Sequence, residues 1–115
     1  MPVKRPPIPR ALLPHQAQLL TETIDAWQHS TVTDSKQLRY IRIDADLSRR
    51  ADEKDTVHTA HWLLFYDCRN SQPRDVRFTL GLVILWNDLR LIVKQVTPVW
   101  ADQALHHFEI LLEGG

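Results

Sequence analysis

Histidine and cysteine are the residues of this chain best suited to metal binding or catalysis, and the sequence holds six histidines and one cysteine. His58 and His61 lie three residues apart, while His106 and His107 are adjacent. In a β-strand, side chains alternate between the two faces, so both spacings send the paired imidazoles to opposite faces. We therefore predict no metal site, and we interpret these histidines as partly buried, hydrogen-bonded residues at the starts of strands.

The sequence pattern also lacks a nucleophile together with the groups that would activate it. Cys68 follows Asp67, whereas a reactive thiolate needs positive charge nearby. No G-x-S-x-G motif is present, and Gly81 is the only glycine outside the C-terminal pair, so no glycine-rich loop can hold a phosphate. A single cysteine excludes an internal disulfide and a thiolate zinc site within one chain. We expect no catalytic residue, no cofactor and no enzymatic activity.

The four tryptophans are the remaining residues with binding potential, because indole rings can stack on bases or sugars. However, the chain carries 14 basic and 14 acidic side chains, so it lacks the positive charge that drives binding to phosphate backbones. In a chain this short, we interpret the tryptophans as core and interface anchors. A small nucleic-acid-binding β-barrel is therefore a less favoured alternative function.

Short apolar stretches with period-two alternation run through the chain, and no helix of ordinary length is indicated. They predict strands at residues 16–23, 37–44, 61–66, 81–86, 89–97 and 106–113. Residues 25–36 are polar and turn-rich, and residues 99–105 form one helical turn or a loop. Asn87 and Asp88 tolerate positive φ and predict a two-residue hairpin, whose second strand we expect Pro98 to end. The fold class is therefore all-β, a small single-domain β-barrel or sandwich of about six strands.

A chain of 115 residues forms one domain with one modest core. The alternation of apolar residues predicts the side chains that fill this core. They are Leu19, Leu38, Ile41, Leu63, Phe65, Ile84, Val93, Phe108 and Ile110.

Five of the seven prolines lie within the first fourteen residues. Proline fixes φ and has no N–H to donate, so residues 1–14 are predicted to form an extended arm, followed by a single β-domain over residues 15–115. The arm is either a solvated tail or a segment that lies across a neighbouring subunit. It lacks the apolar run of a signal peptide, and no apolar stretch is long enough to span a bilayer, so we expect a soluble protein with no membrane partner.

Two further polar segments separate the predicted strands. Residues 45–59 have no apolar periodicity, and a loop of this length in a compact domain is usually functional or disordered. Residues 67–73 hold Asp67, Asn70 and Ser71, whose side chains bond neighbouring backbone groups, followed by Pro73, which stops a strand. We predict a solvated or functional loop in the first segment and a structured turn in the second.

Two strings, LFYDCRNSQP at residues 64–73 and LHHFEILL at residues 105–112, carry a family resemblance. The stretches PPIPRALLPHQAQL, LRYIRID, GLVILW and IVKQVTPVW extend it over nearly the whole chain. The chain resembles the minor capsid protein family of siphophages and prophages of Gram-positive bacteria. It departs from the family pattern at Leu89, where a small residue such as glycine is expected, and this predicts that the second hairpin strand starts one residue early.

The resemblance implies a structural subunit of the head–tail connector, or neck, of a tailed phage or prophage. In stopper-like head-completion proteins, copies form a ring, here a hexamer or dodecamer, that retains the packaged double-stranded DNA. The implied partners are a portal adaptor protein above the ring and a tail-completion or tail-tube protein below it. A tail-terminator or head-decoration subunit is the alternative in the same context. The implied location is the virion, after assembly in the host bacterial cytoplasm.

The resemblance also assigns roles to particular residues. It implies that the loop over residues 45–59 points into the ring channel and gates it through Arg49, Arg50, Asp52, Glu53, Lys54 and Asp55. The prolines of the arm lower the entropy lost when an extended segment docks on a neighbour. The expected subunit contacts are Pro6, Pro7, Pro9, Asn70, Ser71 and Trp100.

Overall fold

The computed structural model describes residues 6–24, 26–46 and 60–114. Within these residues, six strands pair into one closed antiparallel barrel with the order β1-β2-β3-β6-β5-β4. The strands are β1 (His15–Ile24), β2 (Ser30–Ala45), β3 (Ala60–Asp67), β4 (Val83–Trp86), β5 (Leu89–Ala101) and β6 (Ala104–Gly114). The all-β prediction is confirmed, and closure of the sheet selects the barrel over the sandwich. In the described part of the chain, no helix has the length and apolar character needed to cross a bilayer.

The antiparallel order places the connections at two opposite ends of the barrel. Strands β1, β3 and β5 run in one direction, and β2, β4 and β6 run in the other. The β1–β2 turn, the β5–β6 turn and the β3–β4 connection therefore share one end, which we call the hairpin end. The β4–β5 turn and the end of β6 lie at the opposite end.

The core is filled by side chains that point into the barrel from all six strands. Most of the predicted core is buried, namely Leu19, Leu38, Ile41, Ile84, Val93 and Ile110. Phe108 is partly buried against the core. The prediction was wrong for Leu63 and Phe65, because β3 sends Leu64 and Tyr66 inward instead. Every residue of this strand is apolar or aromatic from Trp62 to Tyr66, so alternation alone could not tell its two faces apart.

A bulge at Tyr40 explains why β2 does not keep a single alternation. His15 pairs with Ile41 and Gln16 pairs with Arg39, so Tyr40 is an extra residue without a partner on β1. Its φ of 55° lies in the left-handed region. The bulge shifts the phase of the strand, and as a result Leu38 and Ile41, three residues apart, both point into the core.

The hairpin at Asn87 and Asp88 is confirmed. Both residues have positive φ, 51° and 62°, and Trp86 pairs directly with Leu89. This is the conformation of a type I′ turn, whose twist matches that of the flanking strands. Leu89 begins β5, as expected from the sequence.

Two strands are longer than predicted. The polar segment at residues 25–36 was expected to be a turn region, yet β2 begins at Ser30 and pairs with the end of β1. Pro98 was expected to end its strand, yet β5 continues to Ala101 and forms a hairpin with β6 in place of a helical turn. Proline is tolerated there because β4 pairs with β5 only from Leu89 to Ile92, which leaves an open edge at Pro98.

The extended arm over residues 1–14 is not confirmed. Residues 1–5 lie outside the described residues. The following segment contains a single 3-10 turn at Arg10–Leu12, and the next residue, Leu13, is buried. This apolar anchor holds the segment against its own barrel.

Candidate functional site

Asp67, the last residue of β3, is the centre of a buried polar hub at the hairpin end. Its side chain is fully buried and accepts three backbone hydrogen bonds, from Arg69 N at 2.9 Å, Asn70 N at 2.8 Å and Ile8 N at 3.0 Å. Burial of a carboxylate is costly unless its oxygens are hydrogen-bonded, and these donors meet that need. Asp67 therefore shapes the turn that follows it and holds the N-terminal segment.

Ser71 completes the turn from the other side and is also fully buried. Its hydroxyl accepts a hydrogen bond from Asp67 N at 2.8 Å and donates one to the carbonyl oxygen of Tyr40 at 2.5 Å. The predicted structured turn is confirmed. The hydroxyl of Ser71 is used within the chain and the residue has no exposed surface. Its contact with another subunit stays a prediction.

The turn is also joined to the barrel by its final residues. Gln72 and Arg39 exchange two backbone hydrogen bonds, of 2.9 and 3.0 Å, which extend the sheet beside the bulge of β2. The hydroxyl of Tyr66 donates to the carbonyl oxygen of Pro73. Burial of Tyr66, with the charges of Asp75 and Cys68, raises the pKa of this phenol, so the hydroxyl keeps its proton and its hydrogen bond.

The N-terminal segment is clamped onto the hub at Ile8. Asn70 Nδ2 donates to the carbonyl oxygen of Ile8 at 2.7 Å, next to the bond from Ile8 N to Asp67. Two residues further on, the guanidinium of Arg10 lies 4.2 Å from the centre of the Tyr40 ring, a cation–π contact. Asn70 therefore holds the N-terminal segment within the chain. The subunit contacts of Asn70, Pro6, Pro7 and Pro9 stay predictions.

His106 and His107 adjoin the hub and turn toward each other, although we expected them to diverge. Their Nδ1 atoms are 2.7 Å apart. The cause is a local irregularity: Val99 pairs with His107 and Trp100 pairs with Leu105, so His106 has no partner on β5 and the alternation fails. The backbone is tied to the turn by Cys68 N, which donates to the carbonyl oxygen of His106 at 3.1 Å.

Each of these two rings also makes a contact outside the pair. His106 Nε2 lies 2.8 Å from the carbonyl oxygen of Pro6, which can only accept, so this nitrogen carries a proton. His107 Nε2 faces Glu109 Oε2 at 3.1 Å, where the carboxylate also accepts. The two rings therefore link Pro6 of the N-terminal segment to Glu109 of β6.

Neither this cluster nor another group among the described residues assembles three histidine, cysteine, aspartate or glutamate side chains suited to a metal ion. Cys68, next to the hub, is a poor nucleophile. Burial, and then the negative charge of Asp67, raises the pKa of its thiol, which lowers the thiolate fraction at neutral pH.

The tryptophans divide into two groups. At the end opposite the hairpins, Trp86 packs edge-on against His15 at 5.1 Å and Trp62 at 5.5 Å, as anchors of the core. Trp27 and Trp100 lie at the two turns of the hairpin end and are 80% and 59% exposed. The exposure of Trp100 fits the predicted role as a subunit contact, which stays a prediction. The sequence did not separate the exposed Trp27 from the tryptophans that pack on the core, although Trp27 stands alone in a polar segment.

A depression with a volume of about 420 Å³ lies between β1 and the β4–β5 turn. Its walls include Gln16, Gln37, Trp86 and Arg90. Gln37 and Gln16 are hydrogen-bonded to each other at 3.3 Å, and Arg90 forms an ion pair with Glu22 at 2.7 Å. These pairings leave the polar groups engaged with one another.

The predicted gating residues lie outside the described residues; they are Arg49, Arg50, Asp52, Glu53, Lys54 and Asp55. On either side of these residues, the end of β2 and the start of β3 are described and are paired with each other. Asp46 N donates to the carbonyl oxygen of His61 at 2.9 Å, beyond the pair Ala45 and Trp62. The gating role stays a prediction.

The geometry thus defines a small, closed antiparallel barrel with a buried polar hub and two hairpins that extend from one end. No family model matches the chain, and neither a curated protein nor a solved structure is significantly similar to it.

Proposed function

We propose that this chain is a structural subunit of the head–tail connector of a tailed phage or prophage, acting in a stopper-like ring. One observation carries the proposal: the two strings behind the family resemblance are neighbours in the fold. The pairing of β3 with β6 extends to Asp67, which lies opposite His107. Directly after this pair, Cys68 N donates a hydrogen bond to the carbonyl oxygen of His106. The motif residues therefore build one shared hub, as expected if the resemblance reflects a common fold and not scattered similarity.

The chemistry of the hub also favours a structural role. Asp67 and Ser71 are buried and hydrogen-bonded to backbone groups of distant segments. A catalytic carboxylate or hydroxyl must instead reach a substrate. Asp67 and Ser71 are used to hold the N-terminal segment and β2 to the barrel.

The shape of the molecule offers a large contact surface for its size. The chain measures 56 × 38 × 24 Å because the hairpins extend beyond the barrel. Large apolar side chains are exposed at this end, including Trp27, Trp100 and Ile24. Exposed apolar surface of this kind is typical of protein–protein contacts. A subunit held by neighbours in a ring would bury these residues.

The decisive experiment is an in-frame deletion of the gene in the phage or prophage that carries it. For a stopper, we expect filled heads that lose DNA and fail to join tails, with both defects restored by the gene in trans. Tails of irregular length would indicate a tail terminator, and joined but fragile heads a decoration protein. Normal particles from the deletion strain would contradict all three structural roles.

Ring formation can be tested with purified components. The chain is mixed with rings of the portal adaptor from the same phage, and the mass of the complex is measured. We expect a complex with six or twelve added copies. Absence of binding by a folded chain would contradict the position proposed for it.

A further inference from the structure

Beyond the barrel, β1 and β2 continue as a two-stranded ribbon. The pairing of β4 with β1 ends at Leu20, and the pairing of β3 with β2 ends at Ile41. β1 and β2 remain paired with each other as far as Ile24 and Ser30. On the edge of β2 that faces away from β1, the pairing within this ribbon among the described residues is limited to the bridge between Arg39 and Gln72. The edge of β2 over residues 30–38 therefore has no strand partner within the described chain, and residues 30–37 are exposed.

An open edge of this kind is a template for pairing with another strand, and a ribbon of two strands gains little stability by itself. The other long open edge, on β5, carries Pro98, which cannot donate a hydrogen bond and blocks such pairing. The open run of β2 contains no proline. Of the two, β2 is the edge that remains competent to pair.

The backbone orientation of this edge follows from the bridge at Arg39. Both the N–H and the carbonyl of Arg39 bond Gln72, so they point away from β1. Because backbone groups alternate along a strand, those of Gln37 and Ser35 also point outward. The side chains of Asp34 and Lys36, which flank Ser35, are exposed.

The charges make this edge complementary to itself. In an antiparallel pair of two copies centred on Ser35, Asp34 of each copy stands opposite Lys36 of the other. The smallest shift that keeps the outward backbone groups facing each other is two residues. In one direction it puts Lys36 opposite Lys36, and in the other it puts Asp34 opposite Asp34. Opposite charges across strands are stabilising and like charges are destabilising, so one register is selected.

We propose that the edge of β2 binds the same edge of a second copy about a two-fold axis centred on Ser35. Such a contact closes after two copies, so it is separate from any ring and does not depend on the proposed function. A bulge at Thr33, where the pairing with β1 shifts between Thr21 and Glu22, ends the regular edge. The contact is therefore short, and the dimer dissociates on dilution.

Charge-swapped variants in sedimentation equilibrium test the contact. Asp34→Lys and Lys36→Asp each bring like charges together, so either variant alone should associate about tenfold more weakly than wild type, or worse. A mixture of the two should form heterodimers, and the double variant Asp34→Lys/Lys36→Asp should regain wild-type association. A wild-type chain that stays monomeric at high concentration would overturn the proposal, and so would failure of the mixture to associate.

Ser35→Pro removes the outward N–H at the centre of the contact and should abolish the dimer, whereas the control Ser35→Thr keeps it. Circular dichroism establishes that each variant is folded. If Ser35→Pro is folded and still dimerises like wild type, the dimer uses another surface and the proposal is wrong. If it does not fold, the charge-swap series decides.

Discussion

Asp67 shows how a single buried residue connects distant parts of the chain. Its carboxylate bonds Arg69 and Asn70 within the turn, and Ile8 from a segment 59 residues away. Ser71 bonds the bulge of β2 at Tyr40, 31 residues away. A local turn motif thus becomes the point at which the N-terminal segment, β2 and β3 are held together.

Substitution of Asp67 tests the energetic weight of the hub. In Asp67→Asn, one side-chain oxygen is replaced by an NH₂ group, so a donor faces a backbone donor. We expect the free energy of unfolding to fall by about 1–3 kcal/mol, the usual result of leaving a buried group unsatisfied. Urea denaturation measures the change, with the exposed turn residue Asp102→Asn as the matched control. Equal stability of the two variants would contradict the role of the hub.

The pH dependence of stability tests the buried phenol of Tyr66. Because its pKa is raised in the folded state, the phenol stabilises the fold below about pH 10, the unfolded value, and this contribution is lost as the pH rises further. The free energy of unfolding should therefore fall more steeply between pH 9 and 11 in wild type than in Tyr66→Phe. Parallel curves for the two proteins would refute the assignment.

The thiol of Cys68 provides a second test at the residue scale. Its raised pKa predicts that it reacts with a disulfide reagent more slowly than glutathione does at pH 7.5. The rate should increase with pH, because the thiolate fraction increases. A reaction faster than that of glutathione would show an activated cysteine and would reopen the case for chemistry at this position.

At the scale of elements, the turns and bulges decide the register of the strands. The β4–β5 turn has two residues in the left-handed region, and neither is glycine. Tyr40 has the same conformation within β2, where it changes the face that the following residues present. The register of this barrel therefore depends on a few positions with positive φ.

The β4–β5 turn can be improved by substitution. Asp88→Gly produces the Asn-Gly sequence that type I′ turns prefer and removes the cost of positive φ at that position. We expect an increase in the midpoint of urea unfolding that corresponds to about 0.5–1 kcal/mol. The comparison variant Asp88→Val, with a β-branched residue at positive φ, should lower the midpoint. A midpoint that moves in the same direction for both variants would show that the turn conformation does not limit stability.

At the scale of the whole molecule, the N-terminal segment is part of the folded domain from Pro6 onward. A chain that begins at Pro6 keeps the contacts of Pro6 and Ile8 and is the matched control. A chain that begins at Ala11 loses both clamps at Ile8 and leaves Asp67 and Asn70 short of partners, so we expect it to be destabilised by about 2–4 kcal/mol. Thermal unfolding of the two truncated chains measures the difference. Equal stabilities would show that the segment docks too weakly to matter.

The sequence by itself determined the features that depend on neighbouring residues. Period-two alternation identified most of the strands and much of the core, the tolerance of Asn87 and Asp88 for positive φ identified the hairpin, and the short side chains after Asp67 identified the turn. Each of these rests on backbone preferences or on hydrogen bonds that span only a few residues.

The tertiary structure decided what depends on residues far apart in the chain. Closure of the barrel, the inward face of β3 and the phase change at Tyr40 follow from which strands pair, and pairing is a property of the whole sheet. The polar start of β2 has little apolar pattern of its own and becomes a strand because β1 supplies its partner. Asp67 and Ser71 became the buried centre of the hub only because the fold brings Ile8 and Tyr40 to them.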